Sequence, residues 1–157
     1  MLHYLIHNYN GGKKVTKSVL FSLLYFTDFN FFELYEKSLT DEIYKKSSGG
    51  PKPLHFDLVI EELINENKIG VKTEMNLDTI KSFYYSLVKP LDNFQDNELN
   101  VIGEVIDDLG QMNLDEIADY TSRDIPIKAA CENEFLDYGF VFYRDFPFEK
   151  RIYDNFN

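Results

Sequence analysis

Between Thr16 and Tyr35 the apolar side chains fall on every face of a helix: Leu20, Phe21, Leu23, Leu24, Tyr25, Phe26, Phe29, Phe31, Phe32, Leu34 and Tyr35. A helix with no clear polar face belongs inside a domain, so this segment is the predicted central element on which the rest packs. Thr16 suits an N-cap, and Val15 and Leu20 stand at the N′ and N4 positions of a hydrophobic staple. A short helix is predicted upstream, from His3 to Asn8, stopping at Gly11-Gly12.

Downstream, Thr40 to Tyr44 reads as a short extended piece, and Ser47 to Pro53 as an irregular loop rich in Gly and Pro. Phe56, Val59, Ile60, Leu63 and Ile64 recur at helical spacing and predict a helix with Glu61, Glu62 and Glu66 outward. At Ile69 the period changes to two: Ile69, Val71, Thr73 and Met75 alternate with other residues, Asn76-Leu77-Asp78 marks a turn, and Phe83, Tyr85 and Leu87 resume. A half-buried β-hairpin from about Ile69 to Val88 follows. Helical spacing returns at Leu99, Ile102, Val105, Ile106 and Leu109, ending at Gly110. Asn113 and Glu116 form a capping-box pattern, with Met112 and Ile117 as a staple, for a separate helix to about Tyr120. Phe140 to Tyr143 could add a strand, and Asp145 to Asn157 reads as a loosely held tail. The expected fold class is α+β, mainly α: a compact helical domain around a buried central helix, with a β-hairpin and room for one further strand. Residues 1–14 form a short N-terminal helix and loop, 15–144 the domain proper, and 145–157 the C-terminal tail.

Length and composition agree with one domain that folds by burial alone, since the 157 residues are 44% hydrophobic and 16% aromatic. Cys131 is the only cysteine, which excludes an intrachain disulfide and a thiolate metal cluster and fits a reducing compartment. The N-terminus lacks the basic start of a signal peptide, and the greasiest run, Val19 to Phe26, falls short of the roughly 18–20 apolar residues that a bilayer requires. A cytoplasmic location is expected. Net charge is −11, a field that repels phosphate backbones and disfavours autonomous nucleic-acid binding. The acid is concentrated: Asp92, Asp96, Glu98, Glu104, Asp107, Asp108, Asp115, Glu116 and Asp119 occur with no Lys or Arg between Lys89 and Arg123. Such a run is a solvated helix face or a surface that steers a basic protein partner.

Candidate chemistry is sparse. His3 and His7 lie four apart on the predicted first helix, a spacing that can present two imidazoles to a metal, but no third ligand is near. His55 could pair with Asp28 for acid–base work, yet no nucleophile stands beside them. Phosphate-binding glycine patterns, a nucleophile elbow and a zinc-protease helix are all missing. No catalytic residue, cofactor or metal is therefore expected. Asp28 interrupts an apolar helix, so its carboxylate must be satisfied internally, with the Gly50-Pro51 loop amides as one source of donors, or must meet a partner.

The run Leu23-Leu24-Tyr25-Phe26-Thr27-Asp28-Phe29, then Tyr35 to Thr40, Tyr44 and Gly50-Pro51-Lys52-Pro53, resembles the Panacea or SocA-like antitoxin family. The second half does so through Asn97-Glu98-Leu99, Leu114 to Ser122, Ile125-Pro126-Ile127-Lys128-Ala129, Asp137-Tyr138 and Val141 to Arg144. Asp41 departs from the usual Gly, Arg123 from a common His, and Ile127 from a common Trp. The resemblance implies an antitoxin-type protein that neutralises a toxin encoded beside it by direct association, either by holding it or by presenting it to a protease. Some relatives carry an upstream helix-turn-helix domain; with only a short segment before Val15, that DNA-binding part is not expected here. The partner-binding candidates are Tyr25, Asp28, Tyr44, Gly50, Pro51 and Pro53 from the resemblance, with Asp107, Asp108, Asp115 and Glu116 from the acidic run. The expected partner is a basic protein toxin, with no direct nucleic-acid or membrane binding; the oligomeric state is left open. Two alternatives stay open at this point: a hydrolase using Asp28 and His55, and a phage or mobile-element interaction protein with no toxin partner.

Overall fold

The structure, a computed structural model, describes residues 1–152. Its organising element is helix α2 (Lys17–Tyr35), buried from Val19 to Phe31 on every face. Thr16 caps it, accepting from Val19 N at 3.5 Å, and Glu36 ends it in the left-handed conformation with φ 52°, its N–H on Phe32 O at 2.8 Å. Around α2 lie α1 (Leu2–Asn8), α3 (Phe56–Asn65), α4 (Asp96–Gly110), α5 (Leu114–Ser122) and a short α6 (Ile125–Lys128). The packing is strongly aromatic: Phe29 stacks on Tyr138 with centroids 4.1 Å apart, and Phe21 meets Phe56 edge-on at 5.0 Å. The α+β, mainly α reading holds.

The predicted hairpin is present as β4 (Ile69–Asn76) and β5 (Thr79–Ser86), joined by Leu77-Asp78 and paired from Ile69↔Ser86 to Asn76↔Thr79. A two-residue strand that the sequence reading did not anticipate, β1 (Val15–Thr16), adds to β5, giving the sheet order β1-β5-β4. Only the base of this hairpin enters the core, through Ile69 and Tyr84; towards its tip Met75, Leu77 and Ile80 are exposed, so it projects as an arm.

Three expectations are corrected. Residues 44–53 are a second hairpin, β2 (Tyr44–Ser47) with β3 (Gly50–Pro53), not an extended piece and an irregular loop. The bond from Leu54 N to Ile43 O fixes the ladder alternation, so Pro51 and Pro53 occupy positions whose N–H would point away from β2, where proline costs no ladder bond. Phe140 to Tyr143 lie in a 3-10 helix (Tyr138–Tyr143), not a strand. The edge of β2 that they could have joined is already taken by 133–136, through Lys46 N to Glu134 O at 2.9 Å and Leu136 N to Tyr44 O at 2.8 Å. Finally, residues 145–151 are not loosely held: Phe148 is buried against Phe26 and Tyr120, and the Arg151 amide bonds Glu33 Oε2 at 2.6 Å. The rest of the expected tail, 153–157, lies outside the described residues.

Candidate functional site

Two polar clusters are built into the aromatic core. In the first, Asp28 sits fully buried on α2. Its Oδ1 accepts from Thr40 N at 3.2 Å and Thr40 Oγ1 at 2.9 Å, while Oδ2 accepts from Tyr44 Oη at 2.5 Å. The donors therefore come from Thr40 and Tyr44, not from the Gly50-Pro51 loop. Burial raises the carboxyl from 3.8 to about 6, against the opposing pull of the Tyr44 and Thr40 hydrogen bonds. Burial beside Asp28 likewise pushes the Tyr44 phenol well up.

The second cluster escaped the sequence reading. Arg144, buried at the end of the 138–143 helix, donates from Nε and Nη2 to Asp124 and from Nη1 to Asn30 Oδ1 at 2.8 Å and Glu33 Oε1 at 3.4 Å. Tyr25 Oη completes it by donating to Asp124 Oδ2 at 2.8 Å. Asn30 and Glu33 interrupt an otherwise apolar helix as Asp28 does, which is the signal that could have revealed them. Burial alone would lower the Arg144 pKa, but the hydrogen bonds and charge of Asp124 outweigh it and hold the guanidinium charged. Among the described residues every buried side-chain nitrogen and oxygen has a partner.

In these clusters Tyr25, Asp28 and Tyr44 are fully buried, each with no exposed surface. Pro51 and Pro53 are also buried, whereas Gly50 is half-buried at the rim of a groove of about 270 Å³ that runs between the β2–β3 turn and α5. Asp107, Asp108, Asp115 and Glu116 are all exposed. His55 is not brought together with Asp28: it is exposed, and its Nδ1 meets Glu42 Oε1 at 2.9 Å. A cavity of about 350 Å³ lined by Leu24, Thr40, Glu42, Tyr44, His55 and Phe56 lies beside that pair. His3 Nε2 and His7 Nδ1 each lie 3.0 Å from Ser86 Oγ, tying α1 to the base of the arm. No helix among the described residues is long and apolar enough to cross a membrane.

Residues 20–125 match the family described as antitoxin SocA-like, Panacea domain, a span that holds α2 from Leu20 onward, both hairpins, α3, α4, α5 and the acid Asp124. The chain belongs to this family. No curated protein and no solved structure matches it. Within this SocA-like domain the departures noted in the sequence are accommodated locally. Asp41 has φ 59°, in the left-handed region where a Gly costs least and Asp is tolerated. Arg123 is exposed and pairs with Asp119 at 3.2 Å. Ile127 is buried in α6, and its carbonyl accepts from Lys46 Nζ at 3.0 Å. Arg144 and Phe148 lie beyond the matched span, yet both pack into the same core.

Proposed function

We propose that this SocA-like domain is an antitoxin that neutralises a protein toxin by direct association, meeting it through the acidic residues of α4 and α5. Membership of the antitoxin family supports the general role. The observation that carries the surface assignment is the state of its carboxylates. Asp107, Asp115 and Glu116 are exposed and form no ion pair among the described residues, while Asp108 reaches Lys150 only at 3.9 Å. A solvated face ordinarily intersperses both signs of charge, whereas an uncompensated stretch creates a field that speeds encounter with a basic protein. The buried candidates Tyr25, Asp28 and Tyr44 act in this reading by holding the scaffold rigid.

The test is co-expression with the product of the adjacent gene. Growth restored by this chain, together with a complex recovered on purification, is the expected result; recovery of growth without any complex would overturn direct association.

A further inference from the structure

The groove of about 270 Å³ between the β2–β3 turn and α5 has apolar walls: Val19 on α2, Pro51 on β3, Ile117 and Ala118 on α5, and Ile127 on α6. Ala118 is exposed, so the groove opens to solvent on the α5 side. Four hydroxyls also line it, those of Ser22, Ser47, Thr121 and Ser122, and each has given its proton to the protein. Ser47 Oγ donates to Gly50 O at 2.6 Å, Ser122 Oγ to Asp119 O at 2.7 Å and Thr121 Oγ1 to Ile117 O at 2.7 Å. Ser22 Oγ lies 2.9 Å from Thr121 Oγ1, and because the Thr121 proton is already on Ile117, Ser22 is the donor in that pair. Lone pairs are all that these hydroxyls have left to offer. Ser22 Oγ, on a side chain only 4% exposed, accepts from no group among the described residues. The one cation in the wall is Lys46, whose Nζ donates to Ile127 O and Ala130 O, each at 3.0 Å, and no carboxylate lines the groove.

Resting on the antitoxin reading, we propose that this groove takes a tryptophan side chain of the protein partner, its indole N–H donated to Ser22 Oγ. The lining selects that occupant by elimination. An anion would meet hydroxyl lone pairs, a cation would meet the Lys46 ammonium, and an aliphatic side chain would leave the Ser22 acceptor without a donor. An indole brings an N–H for Ser22, apolar surface for the walls and a π-face for the ammonium. The volume suits one large side chain and falls below the roughly 300–1,000 Å³ of drug-sized ligand sites. Tryptophans seated in pockets of this kind are the side chains that dominate the energetics of protein interfaces. The chain has no tryptophan of its own, so the occupant comes from a different protein and not from a second copy.

The test titrates the full chain with N-acetyl-tryptophanamide, whose emission reports the ligand alone because the chain has no tryptophan. The expected result is a saturable blue shift at millimolar ligand, with NMR shifts at the Gly49, Gly50 and Ala118 amides. Ala118→Phe, which fills the groove from its exposed side, should weaken binding by about tenfold or more. The 1-methyl analogue, which lacks the indole N–H, should bind the parent chain roughly threefold to tenfold more weakly. In Ser22→Ala the two ligands should bind equally, an outcome that a general loss of packing would not produce. No blue shift, a shift that Ala118→Phe leaves intact, equal affinity of the two ligands for the parent chain, or tighter binding by N-acetylleucine, a carboxylate without an indole, overturns the proposal. The toxin arm separates the two claims. If Ala118→Phe abolishes indole binding yet rescues growth and binds the adjacent gene's product as the parent does, the groove assignment fails and the antitoxin reading stands. If the indole docks as described but the parent chain neither rescues growth nor binds that product, the antitoxin reading fails and the indole site stands.

Discussion

Arg144 grips Asp124 with two parallel bonds, Nε to Oδ1 at 3.0 Å and Nη2 to Oδ2 at 2.5 Å, and both side chains are almost fully removed from solvent. The same guanidinium reaches Asn30 and Glu33 on α2, so one side chain joins the region before α6, the last 3-10 helix and the central helix. A planar fork matches this geometry and a lysine ammonium does not. Arg144→Met leaves two carboxylates buried without a counter-ion and should destabilise the fold by about 3–5 kcal/mol. Arg144→Lys should recover only a minor part of that loss. Urea unfolding checks both; a lysine variant as stable as the parent would show that the fork geometry is immaterial.

Asp28 predicts a pH dependence of the opposite sign to that of an exposed, salt-bridged carboxylate. Its carboxyl titrates at about 6 in the fold against an ordinary 3.8, chiefly because of burial. Between those values the folded form binds the extra proton. The contribution of this group to stability is therefore fully present below the lower value and is lost as pH rises through the upper one, an effect on the order of 3 kcal/mol. Asp28→Asn should flatten that part of the stability profile. Unfolding midpoints of parent and variant that move in parallel from pH 4 to pH 7 would refute the assignment.

Tyr44 is the donor that restrains this shift, because its Oη bonds the charged form of Asp28. Tyr44→Phe keeps the ring contacts with Tyr25 and Phe29 and removes only the hydroxyl. The loss should cost about 1–3 kcal/mol, since it leaves a buried acceptor short of one partner. It should also move the Asp28 titration further upward, which a carboxyl-carbon NMR titration reads directly. A downward move would mean that the hydroxyl favours the neutral acid.

The central helix could be read from the chain because apolar residues on every face leave only one place for a helix, and the arm because its alternation is bounded by a turn. What the polar residues of the core touch could not be read. Glu33 and Arg144 are 111 residues apart, and nothing in a local pattern links them. Asp28 drew attention as a lone carboxylate, but its donors Thr40 and Tyr44 reach it only because the chain folds back after Glu36. The β2–β3 hairpin was missed for a related reason. Gly and Pro mark irregular backbone on average, yet proline is harmless on an edge whose outward N–H has no partner to serve. At Phe140 to Tyr143 strand propensity failed because the neighbouring edge was already occupied by 133–136.

Salt should act on the encounter and leave the docked complex largely alone. Exposed carboxylates contribute little each, and screening over a Debye length of about 8 Å at physiological salt makes their effect mainly kinetic. Neutralising Asp107, Asp108, Asp115 and Glu116 together should lower the association rate at low salt and reduce its salt slope, with dissociation changing less. Equal slopes for parent and variant would reduce the acidic run to a solubilising face.

Direct association is the central claim, and one binding measurement addresses it. The chain is purified apart from the product of the adjacent gene, the two are mixed, and complex formation is followed by titration calorimetry alongside growth in co-expressing cells. The account predicts a saturable complex together with growth rescue by the parent chain, and slower formation of that complex when Asp107, Asp108, Asp115 and Glu116 are all neutralised. Full growth rescue by the parent chain with no measurable complex would contradict it.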